Sequence, residues 1–382
     1  MKYKWLFLVA VAGVFASCST SRKAAVTKDH SISQLRFIGK QVIPYNMPFE
    51  GTTTGGLSGI DYNPARNEYY MICDDRSDIN PARFYTAKLY FNGQSFDSVR
   101  MTAVTTLRQA NGQPYPNKHQ DPARTPDPEA LRFNTKYGFM VWSSEGERIV
   151  NKKDTILANP SLTIIHPDGK YIDTFAIPAA YHMQATPNGP RRNAGFEGLA
   201  FSQDNQWMYV SLEEPRYEDG PRADVNTTDA ITRILKFDMK TRKPVAQYAY
   251  SLDPVASPAA SPDSFRINGI ADIMYLGTDK LLVLERSFTA GVPGCVIKLY
   301  VTDLRGATDV SDIASLQKNK NYTLASKKLL YNFESLHSYI DNIEGVTFGP
   351  ILPNGHPSLV LVADNNFSSE EESQFFVFEV IP

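Results

Sequence analysis

The chain repeats itself at a period of about 70 residues, and few folds accommodate such a repeat. Each unit opens with a small or acidic residue, then Gly or Ala, then an aliphatic. The five copies are Leu57-Ser58-Gly59-Ile60, Pro128-Glu129-Ala130-Leu131, Phe196-Glu197-Gly198-Leu199, Ile267-Asn268-Gly269-Ile270 and Ile343-Glu344-Gly345-Val346. A second apolar run follows each and ends in an acid: Asp74, Glu145, Glu213, Glu285 or Asp364. The offsets from marker to closing acid are 16 (Ser58), 16 (Glu129), 16 (Glu197), 17 (Asn268) and 20 (Glu344). The first four units then supply two more strand-like runs each, Arg83 to Phe91 and Ser98 to Leu107 being the first pair. Four strands per unit is the make-up of a propeller blade. The fifth unit ends one strand short, and Gln34 to Ile43 is a spare strand ahead of the first. The expectation is an all-β propeller of five four-stranded blades, residues 34–382, closed by the N-terminal strand in the last blade. Six blades are disfavoured because the long loops lack alternating apolar runs, and a two-sheet sandwich leaves the period unexplained. One short helix is expected, at Asp309 to Gln317.

The first 18 residues read as an export signal. Lys2 and Lys4 precede a run from Trp5 to Phe15, too short for a bilayer span of roughly 20 residues. Ala16-Ser17-Cys18 follows and resembles a lipobox, which makes Cys18 the expected lipidation site. Residues 19–33 form a polar tether. The expected location is the cell envelope, lipid-anchored, in the outer membrane of a two-membrane bacterium. With 39 Lys and Arg against 41 Asp and Glu there is no basic stripe, so nucleic acid is not an expected partner. Cys73 and Cys295 sit in apolar contexts and read as buried thiols.

In a blade the innermost strand starts, and the second strand ends, at one face. Markers and closing acids therefore gather at one mouth of the channel: Ser58, Glu129, Glu197, Asn268 and Glu344 with Asp74, Glu145, Glu213, Glu285 and Asp364. Eight of these ten are carboxylates. A purely structural account is at hand, because Arg76, Arg148, Arg216 and Arg286 follow the closing acids and can tie blades by ion pairs. The acids outnumber these arginines, so a hard divalent cation, calcium by preference, fits beside the pairs; Glu129, Glu197, Glu213 and Glu344 are the expected ligands. Long loops at the same face carry His119, His182, Arg192 and His337. Ser58 stands where other units have Glu and reads as structural. No Gly-x-Ser-x-Gly elbow, His-Glu-x-x-His or phosphate-cradling loop is present.

The segments Gly55-Gly56-Leu57-Ser58-Gly59-Ile60-Asp61-Tyr62, Asp127-Pro128-Glu129-Ala130-Leu131, Asn193-Ala194-Gly195-Phe196-Glu197-Gly198-Leu199 and Asn342-Ile343-Glu344-Gly345-Val346 resemble the phytase-like β-propeller family labelled "esterase-like activity of phytase". The resemblance runs from about Gly55 to the C-terminus and implies hydrolysis of phosphoesters or other esters. The catalytic motifs of the calcium-dependent propeller phytases do not map onto this chain. The expected function is a metal-assisted hydrolase of an anionic small-molecule ester, with His182 as general acid or base and Arg192 and Arg286 pairing with the anion. The alternative is a non-catalytic envelope propeller that binds or organises a glycan, peptide or protein, with Tyr115, Tyr181 and Tyr217 as contact anchors.

Overall fold

The computed structural model describes Met1 and residues 31–227, 229–261 and 263–382. Residues 2–30, which take in Cys18, the export signal after Met1 and most of the tether, lie outside these residues. Five four-stranded antiparallel sheets follow one another around an axis. Their innermost strands, in order, are Leu57–Asn63, Pro128–Asn134, Phe196–Phe201, Arg266–Gly277 and Asn342–Ile351. The second strands are Glu68–Cys73, Phe139–Ser144, Trp207–Leu212, Lys280–Thr289 and Pro357–Asp364. The fifth blade takes its outermost strand, Gln34–Ile43, from the opposite end of the chain, paired antiparallel to Ser373–Ile381. This closure matches the expectation and covers an edge that would otherwise present unpaired backbone groups.

Strand composition follows from burial on both faces. In Ser373–Ile381, Phe376, Phe378 and Val380 enter the core shared with the fourth blade. Phe375 and Val377 point the other way, into the core shared with the first. Side chains alternate along a strand, so a strand packed between two blades reads as an unbroken apolar run.

Two expectations need correction. The segment from Asp309 to Gln317 forms turns, not a helix. Arg233 takes the carbonyls of Val310 and Ile313, and Arg216 that of Ala314. Among the described residues the helical segments are two 3₁₀ turns, Ala179–Tyr181 and Phe333–Leu336. An additional hairpin, Glu147–Val150 with Thr155–Ala158, rises after the second strand of the second blade.

The second correction concerns register in the fourth blade. Every innermost strand carries a bulge, and in four of the five it falls at the marker and points it inward. The bulge lies between Leu57 and Gly59, Pro128 and Leu131, Phe196 and Leu199, and Ile343 and Gly345. In the fourth blade it lies between Ile270 and Asp272, three residues beyond Asn268. Two glycines confirm the shift. A Cβ on Gly195 would meet the closing acid of the preceding blade, 2.6 Å from the Glu145 carbonyl oxygen. A Cβ on Gly269 would likewise lie 2.5 Å from Cγ of Glu213, the next closing acid. Gly269 therefore corresponds to Gly195, and Ala271 to Glu197. On the second strand the residue beyond the bulge pair is Arg286, since Glu285 pairs with Ile270. The fourth blade thus contributes Ala271 and Arg286 to the mouth. Glu285 instead turns toward the third blade, whose outermost strand supplies Tyr250 as a donor, joined by Asn268 and Lys327 of its own blade.

Below the mouth, Arg132 closes the channel. Its guanidinium donates to the carbonyls of Ile60, Leu199, Ile273 and Val346, and to Asp272 Oδ2 at 2.7 Å. One buried side chain on the second blade thereby ties down the other four.

Candidate functional site at the channel mouth

The bulges bring acids from distant repeats together. One carboxylate oxygen each from Glu145, Glu197 and Glu213 lies within 4.8 Å of the other two, and the same holds for Asp127, Glu129 and Glu145. Glu145 belongs to both groups. Calcium–oxygen distances are about 2.3–2.6 Å, so ligands on one ion stand no farther apart than about 5 Å. Both groups meet that condition. Above them a cavity of about 390 Å³ opens to solvent, lined on one side by Asp74, Asp127, Glu129, Glu197 and Glu344. Glu145 and Glu213 lie beneath it, 1% and 2% exposed.

Burial is the main influence on these acids, and it disfavours the charged form. The Asp127 carboxyl is pushed up to about 8, Glu145 to about 7 and Glu213 to about 8, by desolvation first. Asp74, Glu129, Glu197 and Asp364 rise well above the usual carboxylate range, again through burial and then the charge of neighbouring acids. No donor reaches Glu213 Oε2 or Glu145 Oε2. Glu145 can pair with Glu197 only by sharing a proton. Buried acceptors without donors are costly, and a cation satisfies several at once. The donor set is all oxygen, which suits a hard divalent ion.

Arg286 stands in the ring at the place of a fifth acid. Its Nη2 is 2.7 Å from Glu213 Oε1 and 3.5 Å from Glu344 Oε1, so it joins three blades. Its Nε has no partner, and the side chain lines the cavity. The other arginines behave less uniformly than the sequence suggests. Arg76 ties the first blade to the second through Glu147 at 2.6 Å and Asp127 at 3.6 Å. Arg148 instead donates to the carbonyl of Gln184 and lies over the Tyr217 ring, and Arg216 pairs locally with Asp219.

Of the expected cation ligands, Glu129, Glu197, Glu213 and Glu344 all reach the mouth. Glu344 is held by Arg286 and by the Asn342 amide at 2.9 Å, outside both close groups. Glu145 and Asp127 take its place in them. Arg192 sits on the rim, mostly exposed, 3.1 Å from Glu147. His182 is half-buried after the 3₁₀ turn and does not line the cavity. Its loop is drawn toward the outer strand of the third blade, where Tyr181 bonds Gln247 at 2.6 Å. His119 pairs with Asp78 at the rim, and His337 follows the second 3₁₀ turn. Ser58 donates to the Glu129 carbonyl at 2.8 Å, the structural role expected of it. The tyrosines offered as contact anchors are engaged internally: Tyr181 is fully buried, Tyr115 packs edge-on against Trp142, and Tyr217 supports Arg148 and Arg191. Cys73 is buried as expected, but Cys295 lines the cavity.

Other lining residues were not foreseen. Asp127 could have been found, since it lies two positions before the marker Glu129. Asp341 and Glu371 come from loops of the fifth blade and carry no repeat signal.

Among solved structures, the chain is similar to an endo-arabinase from Bacteroides thetaiotaomicron: 13% identity, 89% of this chain and 98% of that one, TM-score 0.43. It is also similar to a gluconolactonase from Xanthomonas campestris: 13% identity, 92% and 96%, TM-score 0.36. A periplasmic gluconolactonase from Pseudomonas aeruginosa gives 9% identity, 87% and 90%, TM-score 0.37. No curated protein matches the chain. The family described as "Phytase-like: Esterase-like activity of phytase" matches residues 52–367, which takes in the first four blades and the two inner strands of the fifth. The chain belongs to that phytase-like family.

Proposed function

We propose that the channel mouth is a cation-dependent hydrolytic site for phosphoesters or related anionic esters, on a protein carried at the cell envelope by a lipid on Cys18. The observation behind this reading is the pair of three-carboxylate groups sharing Glu145, buried and short of donors, beneath an open cavity that also holds Arg286. A divalent ion held there would supply polarisation of an ester oxygen and acidification of a water. Asp127, Glu129, Glu145, Glu197 and Glu213 hold that charge, giving up the protons that burial otherwise keeps on them. Arg286 orients the anionic group through its unpartnered Nε, and Arg192 meets incoming anions at the rim. His182 lies away from the cavity, so a different group must handle the proton. Glu371 lines the cavity outside both carboxylate groups, and its carboxyl is raised mainly by burial. Asn366 donates to its Oε2, leaving Oε1 to give a proton to the leaving group.

The test is a panel of phosphate and carboxylate esters assayed on chelator-treated protein, with and without added calcium. Activity should require the ion and fall at least about 100-fold in Glu197→Gln. Hydrolysis that survives both chelation and that change rejects the site. Specific binding of an envelope glycan, peptide or protein without turnover would support the scaffold alternative.

A further inference from the structure

The mouth is not a symmetric ring, and its asymmetry bears on what it can hold. Four blades present carboxylates. The fourth presents none: Ala271 replaces the marker acid and Arg286 the closing acid. The same blade supplies an apolar wall, Phe265, Ile267 and Phe288, and Tyr339 adjoins it from the loop entering the fifth blade. Phe265 is 53% exposed and Tyr339 39%, so both rings are open to a ligand in the cavity. Phe265 and Phe288 lie 6.1 Å apart, centroid to centroid, as a tilted pair. Arg286 shares the second strand of this blade with Phe288, so a cation and an aromatic surface adjoin at the edge of the acidic sector.

From this we infer that the site takes esters with a single anionic group joined to a ring-bearing group, the anion lodged between Arg286 and the acidic sector and the ring laid on Phe265, Phe288 and Tyr339. Polyphosphorylated compounds fit poorly. Apart from any bound metal, Arg286 is the one cationic side chain among the described lining residues, and further phosphates would face Asp127, Glu129 or Glu371. An aromatic platform costs little conformational entropy and favours a flat partner with an offset or edge-on ring. The inference rests on the hydrolytic reading for its word "ester", but the recognition it describes does not depend on turnover.

The experiment measures binding with non-hydrolysable probes, by calorimetry on the full chain loaded with calcium. The probes are phenylphosphonate, methylphosphonate and inositol hexakisphosphate. Phenylphosphonate should bind about tenfold more tightly than methylphosphonate, the ring adding roughly what one buried aromatic contact supplies. Phe265→Ala and Phe288→Ala should each reduce that ratio toward one, leaving methylphosphonate affinity unchanged, and thermal unfolding checks that both variants fold. Arg286→Gln should weaken both phosphonates together. Equal affinity for the two phosphonates, a ratio unchanged in both Phe variants, or tighter binding of the hexakisphosphate would each overturn the inference. Selective binding without hydrolysis of any ester would sink the hydrolytic proposal while leaving this one standing; calcium-dependent hydrolysis with no ring preference would do the reverse.

Discussion

Arg132 is buried and the Arg286 side chain is 15% exposed at the mouth; both are channel arginines, yet they play different roles. Arg132 has every direction occupied, by four carbonyls and Asp272. Replacing it with Leu takes the ion-pair partner from Asp272, which keeps only the N–H groups of Ile273 and Val346 in the core, a change that costs about 3–5 kcal/mol. Urea denaturation should show that loss, and adding Asp272→Asn should recover part of it. Arg286 has a free Nε and acidic neighbours, so a cation at the proposed site would compete with it for Glu213 and Glu344. Arg286→Gln should therefore bind calcium more tightly than the parent chain while losing inhibition by inorganic phosphate, as read by calorimetry and by activity. The role of Arg132 is not visible in the sequence, whereas Arg286 is expected from it to pair with acids and with an anion, though not to stand in the ring itself. Arg132 lies in an unremarkable strand, and its partners are backbone carbonyls from four remote repeats. Arg286 directly follows an acid, Glu285, that fits the repeat better by eye.

At the level of the strand, the closure and the bulges carry the argument. Gln34–Ile43 covers Ser373–Ile381, whose side chains are nearly all buried. A chain lacking residues 31–43 should expose that apolar edge and associate. Light scattering after size-exclusion chromatography would detect oligomers that the longer chain does not form. The strand was legible because one unit was a strand short and one strand was left over. The fourth-blade bulge was not. Asn268-Gly269-Ile270 copies the spelling of the marker, but Gly269 serves the close approach to Glu213 and the inward position falls on Ala271. The same letters met a different requirement three residues apart. The expected helix at Asp309 failed for a related reason, since side chains of Arg216 and Arg233 claim the carbonyls that a helix would use.

For the whole molecule, the crowded acids should couple stability to pH and, on the proposed reading, to cations. Glu145 and Glu213 keep their protons up to about 7 and about 8 in the folded chain, against an ordinary value of 4.5. Between these limits the folded state binds more protons than the unfolded one, so stability falls as pH rises through that window. Metal-free protein should accordingly melt at a lower temperature at pH 8 than at pH 5.5. Calcium needs the ionised carboxylates and should raise the melting temperature more at pH 8 than at pH 5.5. Scanning calorimetry at both pH values, with chelator and with calcium, checks both signs. Glu145→Gln removes the residue common to both groups and should flatten the calcium response most.

The sequence alone carried the all-β class, the number of blades, their closure by both chain ends and the side of the molecule on which the acids gather. Those properties depend on period and alternation, which are local and repeat along the chain. The tertiary structure decided which acids come within reach of one ion, that an arginine completes their ring, and that His182 stays outside the cavity. Such matters turn on bulge register and loop packing between segments some 70 residues apart or more, where a shift of one residue turns a side chain from the channel to the blade interior.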